Sequence, residues 1–134
     1  MILNTSNVNG ITGSVSLTAG TPKWYQFGNV LSGSPAPVSS EDYTVSLMVT
    51  ERTVLKNLCA RLDQVPGAAK AVTFTIYVNG VASALTLIIG AAATQGVDTT
   101  DSVVLNPGDF YSMYISETSG GAATKAVFGV TQSV

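Results

Sequence analysis

The sequence predicts an all-β protein, an antiparallel β-sandwich with an extended N-terminal segment, and three observations indicate it. Apolar residues recur at every second position in several short runs, turns rich in glycine, proline and asparagine separate these runs, and no stretch shows a convincing 3.6-residue period of an amphipathic helix. The runs number roughly seven to nine, at a spacing that is typical of an antiparallel sandwich.

The clearest element is a hairpin over residues 72–89, VTFTIYVNGVASALTLII. Asn79-Gly80 divides it and favours a type I′ turn, because both central residues of that turn need a positive φ. Strict pairing from this turn predicts the facing pairs Val78–Val81, Ile76–Ser83, Phe74–Leu85 and Val72–Leu87 on one apolar face. Ile88 interrupts the opposite, polar face, so we expect the end of the second strand to be buried on both sides.

The remaining strands are predicted from shorter alternating runs. They are SVSLT (14–18), KWYQF (23–27), YTVSLMV (43–49), TVLKNLCARL (53–62), DSVVL (101–105), FYSMYIS (110–116) and KAVFGVTQSV (125–134). Residues 53–62 also fit a helix, but neighbouring strands and the Val-Pro-Gly that follows favour a strand, whose predicted inward residues are Val54, Leu58, Ala60 and Leu62.

Two loops and one turn are predicted from composition. LSGSPAPVSS (31–40) is rich in proline, serine and glycine, and GAAATQGVDTT (90–100) reads as a flexible loop. Asn106-Pro107-Gly108-Asp109 has proline and glycine at the two central positions, which is the type II pattern. We expect the carboxylate of Asp109 to cap this turn.

Composition limits the classes of function. The chain has 134 residues, enough for one domain, and only 10% of them are charged, against about 25% in an average protein. Its net charge of −2 gives no indication of a nucleic-acid partner, because phosphate binding needs a basic patch. Its neutral surface of small residues provides little repulsion between copies, which favours a subunit that packs against neighbours.

The N-terminal and apolar stretches predict neither secretion nor a membrane partner. Residues 1–10 have no positive region and no apolar region, so we expect no signal peptide. The longest apolar stretch, residues 81–93, is too short to cross a bilayer and already reads as a strand.

Residues that would carry enzyme chemistry are scarce. The chain has no histidine, which removes the commonest general base and metal ligand, so we expect no enzyme, no catalytic residue and no cofactor. Asp98 and Asp101 could bind Ca²⁺ with nearby carbonyl oxygens, but capping a turn is the interpretation we favour, and no metal site is predicted. Glu41-Asp42 and Asp63 read as exposed charges at strand ends.

The lone cysteine and the aromatic residues are the other candidates. Cys59 has apolar neighbours, so a buried, inert thiol is favoured over a reactive one. Trp24 and Tyr25 are the candidate partner-contact residues, and with Tyr77 they could stack on a sugar ring. The interpretation we favour, however, is that Trp24 and Phe27 anchor the N-terminal segment to the sandwich. Tyr111, Met113 and Tyr114 read as core and interface residues.

The order of elements over residues 58–130 resembles the small subunits that decorate or cement tailed-phage capsids. The resemblance lies in LCARL, a Pro-Gly loop, VTFTIYVNG with its return strand, DTTDSVVLNPGDFYSMYI and a last strand with Val127, Phe128 and Val130. LNPGDF is also similar to a turn of C1q-like and tumour-necrosis-factor-like jelly rolls, which are trimers. Related patterns occur in the trimeric heads of phage fibres.

This resemblance implies a jelly-roll sandwich over residues 41–134, preceded by an N-terminal segment or arm with weak strands over 1–40. It also implies a structural virion protein, a homotrimer that lies on the capsid surface and binds the major capsid protein. The alternative is a fibre-tip or carbohydrate-binding module. Because residues 1–23 have little apolar surface of their own, we expect contact with another chain to order them.

Overall fold

The fold is all-β in a computed structural model, which describes residues 2–5, 15–27 and 45–133. These residues contain no helix, and their strands form two antiparallel sheets that pack against each other as a β-sandwich. The sandwich predicted from sequence is therefore confirmed.

Ten strands make up the described part of the sandwich. They are β1 (Ile2–Thr5), β2 (Val15–Ser16), β3 (Lys23–Tyr25), β4 (Leu47–Met48), β5 (Thr53–Leu62), β6 (Val72–Val78), β7 (Val81–Ile89), β8 (Gln95–Leu105), β9 (Phe110–Glu117) and β10 (Lys125–Ser133). Residues 53–62 form a strand, as predicted, and the loop predicted over 31–40 lies outside the described residues.

The chain crosses between the two sheets several times. Sheet A has the order β1-β10-β5-β8, with β2 also paired to β10, and sheet B has the order β3-β9-β6-β7, with β4 also paired to β9. Most pairings join strands that are distant in sequence, and among the described strands only β6 and β7 form a direct hairpin. This order is that of a jelly roll, in which each sheet takes strands from both halves of the chain.

The core lies between the sheets and is filled by the side chains that point inward from every second position of the strands. Its largest fully buried side chains include Phe27, Phe74, Leu55, Leu58 and Ile76. Phe128 of sheet A joins the aromatic part of the core, with ring centroids 5.2 Å from Phe27 and 6.3 Å from Phe74. The two sheets are thus held together by apolar burial.

A bulge in β5 explains the lysine that interrupts its apolar pattern. The pairing with β8 shifts between Lys56 and Leu58, and Asn57 between them has a φ of 54°. Alternation therefore changes phase at this point, and Leu55 is the buried residue before the bulge. The predicted inward position of Val54 is corrected, while those of Leu58, Ala60 and Leu62 are confirmed.

The hairpin turn is confirmed, but the predicted register holds only beside it. Asn79 and Gly80 have φ values of 52° and 82°, and Val78 faces Val81. Beyond an irregularity between Thr75 and Tyr77 the register moves by two residues, so the facing pairs become Phe74–Leu87 and Val72–Ile89. A shift of two residues keeps every side chain on its predicted face, so the core is unchanged.

Three further expectations are corrected. Ile88 is 64% exposed, because it points away from sheet A on an edge strand, and it is not buried on both sides. Residues 95–100 belong to β8 and not to a loop, and β5 pairs with residues 95–98 over Leu58 to Arg61. The strand predicted over 101–105 is therefore the second half of a longer one.

Described parts of the N-terminal segment pair within the same chain. β1 and β2 pair with β10, and β3 pairs with β9. These strands belong to the two sheets of this chain, so the described sandwich includes strands before residue 41, and the expectation that contact with another chain orders residues 1–23 stays a prediction.

Candidate functional site

Among the described residues, the outward surface of sheet B carries no charged side chain, since Lys23 of β3 lies on the same side of its strand as the inward Tyr25. Strands β6, β7 and β9 contain a single charged residue, Glu117, and its side chain is buried toward the core. The outer face of sheet B is defined here by the outward residues Trp24, Thr73, Thr75, Tyr77, Ala84, Thr86, Ile88, Ser112, Tyr114 and Ser116. Aromatic side chains without lysine, glutamate or aspartate are typical of a surface that becomes buried in an assembly.

Three aromatic rings meet at the centre of this face. Trp24 pairs with Tyr114 across β3 and β9, and their ring centroids are 4.8 Å apart. Tyr77 of β6 lies 5.6 Å from Trp24 in an edge-on contact and 5.2 Å from Tyr114. This aromatic cluster fixes β3 to sheet B, because ring pairs at such distances and angles attract each other beyond simple burial.

The cluster is half-buried and shields polar groups beneath it. Thr75 is 8% exposed and Ser112 is 0% exposed, although both point outward. Among the described residues, no acceptor lies within hydrogen-bond distance of Trp24 Nε1, an atom that is shielded from solvent. The rings are therefore a partly covered apolar surface and not a fully open platform.

The two candidate partner-contact residues lie on opposite sides of sheet B. Trp24 is outward and joins the aromatic cluster, as described above. Tyr25 is 3% exposed, its hydroxyl donates to the Ser16 carbonyl oxygen at 2.7 Å, and burial raises its pKa to about 12. Alternation within β3 puts Tyr25 in the core, so its ring is not available for partner contact and Tyr77 and Tyr114 are the residues beside Trp24.

Asp109 caps its turn, as predicted, and also joins two turns. It accepts the backbone N–H of Asn106 at 2.8 Å, and the side-chain N–H of Asn79 at 2.9 Å. Asn79 in turn accepts the backbone N–H of Phe110 at 3.1 Å. The hydrogen bonds to Asp109 lower its pKa, and the bond from Asn79 has the largest effect. They also fix the turn ends of β6, β7 and β9.

Asp98 and Asp101 lie together at the irregular middle of β8. The Asp98 carboxylate accepts the backbone N–H of Thr100 at 2.9 Å and that of Asp101 at 3.1 Å, and these bonds lower its pKa. The charge of Asp98 raises the pKa of Asp101. The described residues contain no group of three or more metal-binding side chains, and the geometry shows turn capping, the interpretation favoured from sequence.

Two carboxylates hold the connection between β9 and β10, and sequence reasoning missed one of them. Glu117 is 3% exposed, and its Oε2 accepts the N–H of Ala123 at 2.9 Å, while Oε1 has no partner among the described residues. Burial is the main cause that raises the pKa of Glu117, and the negative charge of Asp63 raises it further. An isolated glutamate at the end of a strand gives no sequence signal of burial.

Asp63 is exposed, as predicted, but it also has a structural role. Its carboxylate accepts the backbone N–H groups of Thr124 at 3.0 Å and Lys125 at 3.1 Å, and the Thr124 hydroxyl at 2.6 Å. Slight burial would raise its pKa, but these hydrogen bonds outweigh burial and lower it to about 2. Glu41-Asp42 lies outside the described residues.

The prediction of a buried thiol at Cys59 is wrong. Cys59 lies between Leu58 and Ala60, which both point into the core, so alternation along β5 turns its side chain outward. The thiol is exposed and lies 3.6 Å from the Gly129 carbonyl oxygen. The apolar neighbours of Cys59 in the sequence did not indicate its burial, because they are the inward residues of the same strand and Cys59 lies between them.

Comparison with known proteins identifies no relative. No protein-family model matches the chain, and a search of curated proteins finds no similar sequence. Within the described residues, no helix is long and apolar enough to cross a membrane.

Proposed function

We propose that this protein is a structural subunit that associates with copies of itself through the outer face of sheet B. The observation that carries this proposal is the absence of charge on that face, together with the aromatic cluster at its centre and the 64% exposure of Ile88. Self-association removes this apolar surface from water, and no charge has to be desolvated.

The setting proposed for this subunit is the surface of a virus capsid. The sequence resemblance to decoration and cement proteins of tailed phages, together with the jelly-roll strand order, supports a homotrimer that binds the major capsid protein in the virion. The proposed role is structural and non-catalytic, with no cofactor and with no nucleic-acid or membrane partner.

Sedimentation equilibrium with a matched pair of variants tests self-association. Ile88 is 64% exposed on the outer face of sheet B, and Val97 is 55% exposed on the outward side of sheet A. We expect Ile88→Lys to weaken self-association by about tenfold or more, because it puts a charge into an apolar contact. Val97→Lys introduces the same charge at similar exposure and is expected to leave the mass unchanged.

Two results would contradict this proposal. One is a wild-type protein that stays monomeric at all micromolar concentrations. The other is an equal loss of association in both variants, which would indicate a general effect of charge rather than a specific face. Capsid binding is measured separately, by co-sedimentation of the protein with capsids that lack it.

A sugar-binding module is the second candidate, and one observation favours it. The structure brings Trp24 and Tyr77 into contact, with Tyr114 beside them, on a surface that also has hydroxyl groups. The planes of Trp24 and Tyr77 meet at 86°, however, so the two rings do not form one flat platform for a sugar. Glycan-array binding that Trp24→Ala abolishes would support this candidate over self-association.

A further inference from the structure

The outward side of sheet A has an open groove that Arg61 lines, and Lys56 lies beside the groove, paired with its lining residue Thr131. The groove has a volume of about 610 Å³ and extends over β5, β8 and β10. Cys59 and Gly129 face each other at its centre, Val97 and Val127 add apolar surface, and Arg61 lines one end.

Strand register explains why a depression forms here. Val97, Cys59 and Gly129 make one row across the three strands, with a small side chain in the middle and none on β10. The row of Arg61 lies on one side, and the row that pairs Lys56 with Thr131 lies on the other. The low central row therefore separates two higher rows, each with a cation.

The two cations have no ion-pair partner among the described residues. Neither Arg61 nor Lys56 has a carboxylate within ion-pair distance in this part of the chain. Asp101 is near Lys56 along the sheet, since it precedes Ser102, the residue that pairs with Lys56, but it forms no ion pair with that lysine. Unpaired cations beside an apolar groove are rare features in a protein with only 10% charged residues.

We propose that this groove binds an acidic, extended segment of a partner protein. Arg61 and Lys56 pair with Val127 and Thr131 of β10, which are four residues apart, or about 13 Å at roughly 3.3 Å per residue, because the bulge at Asn57 adds one residue to β5. In an extended segment, carboxylates at positions i and i+4 are about 13 Å apart on one side and match the two cations. The residue at i+2 then lies over Cys59 and Gly129, where a small apolar side chain fits.

Charge and size favour a protein segment over a polyanion. Nucleic-acid binding draws its affinity from many phosphate contacts, and two cations on a protein of net charge −2 supply too few. This inference rests on the proposed function for one point only, the identity of the partner protein. The groove would be the surface through which the subunit contacts the capsid. Self-association is assigned to the other sheet, so the two proposals can fail independently.

A fluorescent peptide tests the inference. The probe is a ten-residue peptide with two glutamates four positions apart, a valine midway between them, and serine or threonine elsewhere. Its controls are the same peptide with lysines in place of both glutamates, and one with the glutamates adjacent. We expect fluorescence anisotropy at low salt to show binding of the probe about tenfold tighter than of either control.

Four variants locate the binding. Arg61→Gln and Lys56→Gln are each expected to weaken binding of the probe by up to about fivefold, and Asp101→Asn is expected to strengthen it. Lys70→Gln is the matched control, because it removes a cation from the connection between β5 and β6, away from the groove. It is expected to leave binding unchanged.

The thiol of Cys59 provides a second measurement in the groove itself. Because Cys59 is exposed and is the one cysteine of the chain, its alkylation by a neutral maleimide reports access to the groove. We expect the probe to slow alkylation, and added salt to restore the rate.

Several results would overturn the inference. They are equal binding of the glutamate and lysine peptides, no effect of Arg61→Gln, and no protection of Cys59 by the bound probe. Tighter binding of a heparin fragment than of the probe would indicate a polyanion surface. Protection of Cys59 by raised protein concentration alone would indicate an interface between copies of this chain.

Discussion

Phe74 provides the strongest test of the core because it lies at the centre of sheet B and is 0% exposed. Replacing it with alanine removes the buried ring and leaves a cavity that neighbouring side chains of both sheets fill only in part. A buried phenylalanine lost in this way costs about 3–5 kcal/mol. A domain of this size has a total stability of about 5–15 kcal/mol, so the variant should fold but be clearly weakened.

The contact of Phe74 with Phe128 makes part of this cost measurable by itself. Their ring centroids are 6.3 Å apart at an angle of 53°, a tilted arrangement across the two sheets. In a double-mutant cycle with Phe128→Ala, we expect a coupling energy of about 0.5–1.5 kcal/mol. Independent effects of the two substitutions would indicate that the sheets are not packed through this pair.

Guanidinium unfolding at pH 7 is the appropriate assay, with thermal unfolding as a check. Phe74→Ala should lower the midpoint with little change in the slope, and the melting temperature should fall by about 10–20 °C. Val81→Ala in the same hairpin is the control, since Val81 is 67% exposed and should change the unfolding free energy by less than about 0.5 kcal/mol. A loss below about 1 kcal/mol for Phe74→Ala would refute its core position.

Three further substitutions test the hairpin turn and the two carboxylates that hold the β9–β10 connection. Gly80→Val puts a branched side chain at a φ of 82° and should cost about 1–3 kcal/mol in guanidinium unfolding, so an unchanged midpoint would contradict the turn. Glu117→Gln should stabilise the protein at pH 7, because the pKa of Glu117 is raised in the folded state and its charged form therefore opposes folding. This gain in stability should disappear as the pH falls below about 4, where glutamate is protonated in both the folded and the unfolded state. Asp63→Asn should destabilise the protein at pH 7. Because the pKa of Asp63 falls to about 2 on folding, the difference in unfolding free energy between wild type and variant should disappear between about pH 4 and pH 2. A destabilisation that persists in acid would assign another role to Asp63.

The sequence by itself determined the type of each main element. Alternation and turn chemistry predict β5, β6, β7, β9 and β10, because a strand with one buried face must place apolar residues at every second position. The positive φ of Asn79 and Gly80 was also predictable, since few residues other than glycine and asparagine adopt that conformation at low cost.

Irregular positions within strands needed the tertiary structure. The bulge at Asn57 and the two-residue shift in the hairpin change which residues face each other, and both depend on the partner strand rather than on the strand's own sequence. The first half of β8 read as a loop because its residues are small and polar, although β5 provides their hydrogen bonds.

The candidate surfaces were decided by tertiary structure as well. Sequence reasoning named Trp24 and Tyr77, but their contact and the addition of Tyr114 depend on pairing between β3, β9 and β6, which are far apart in the chain. The groove beside Cys59 and the burial of Glu117 have the same origin. Local periodicity predicts which side of a strand a residue occupies, whereas long-range pairing decides which residues share that side and what covers them.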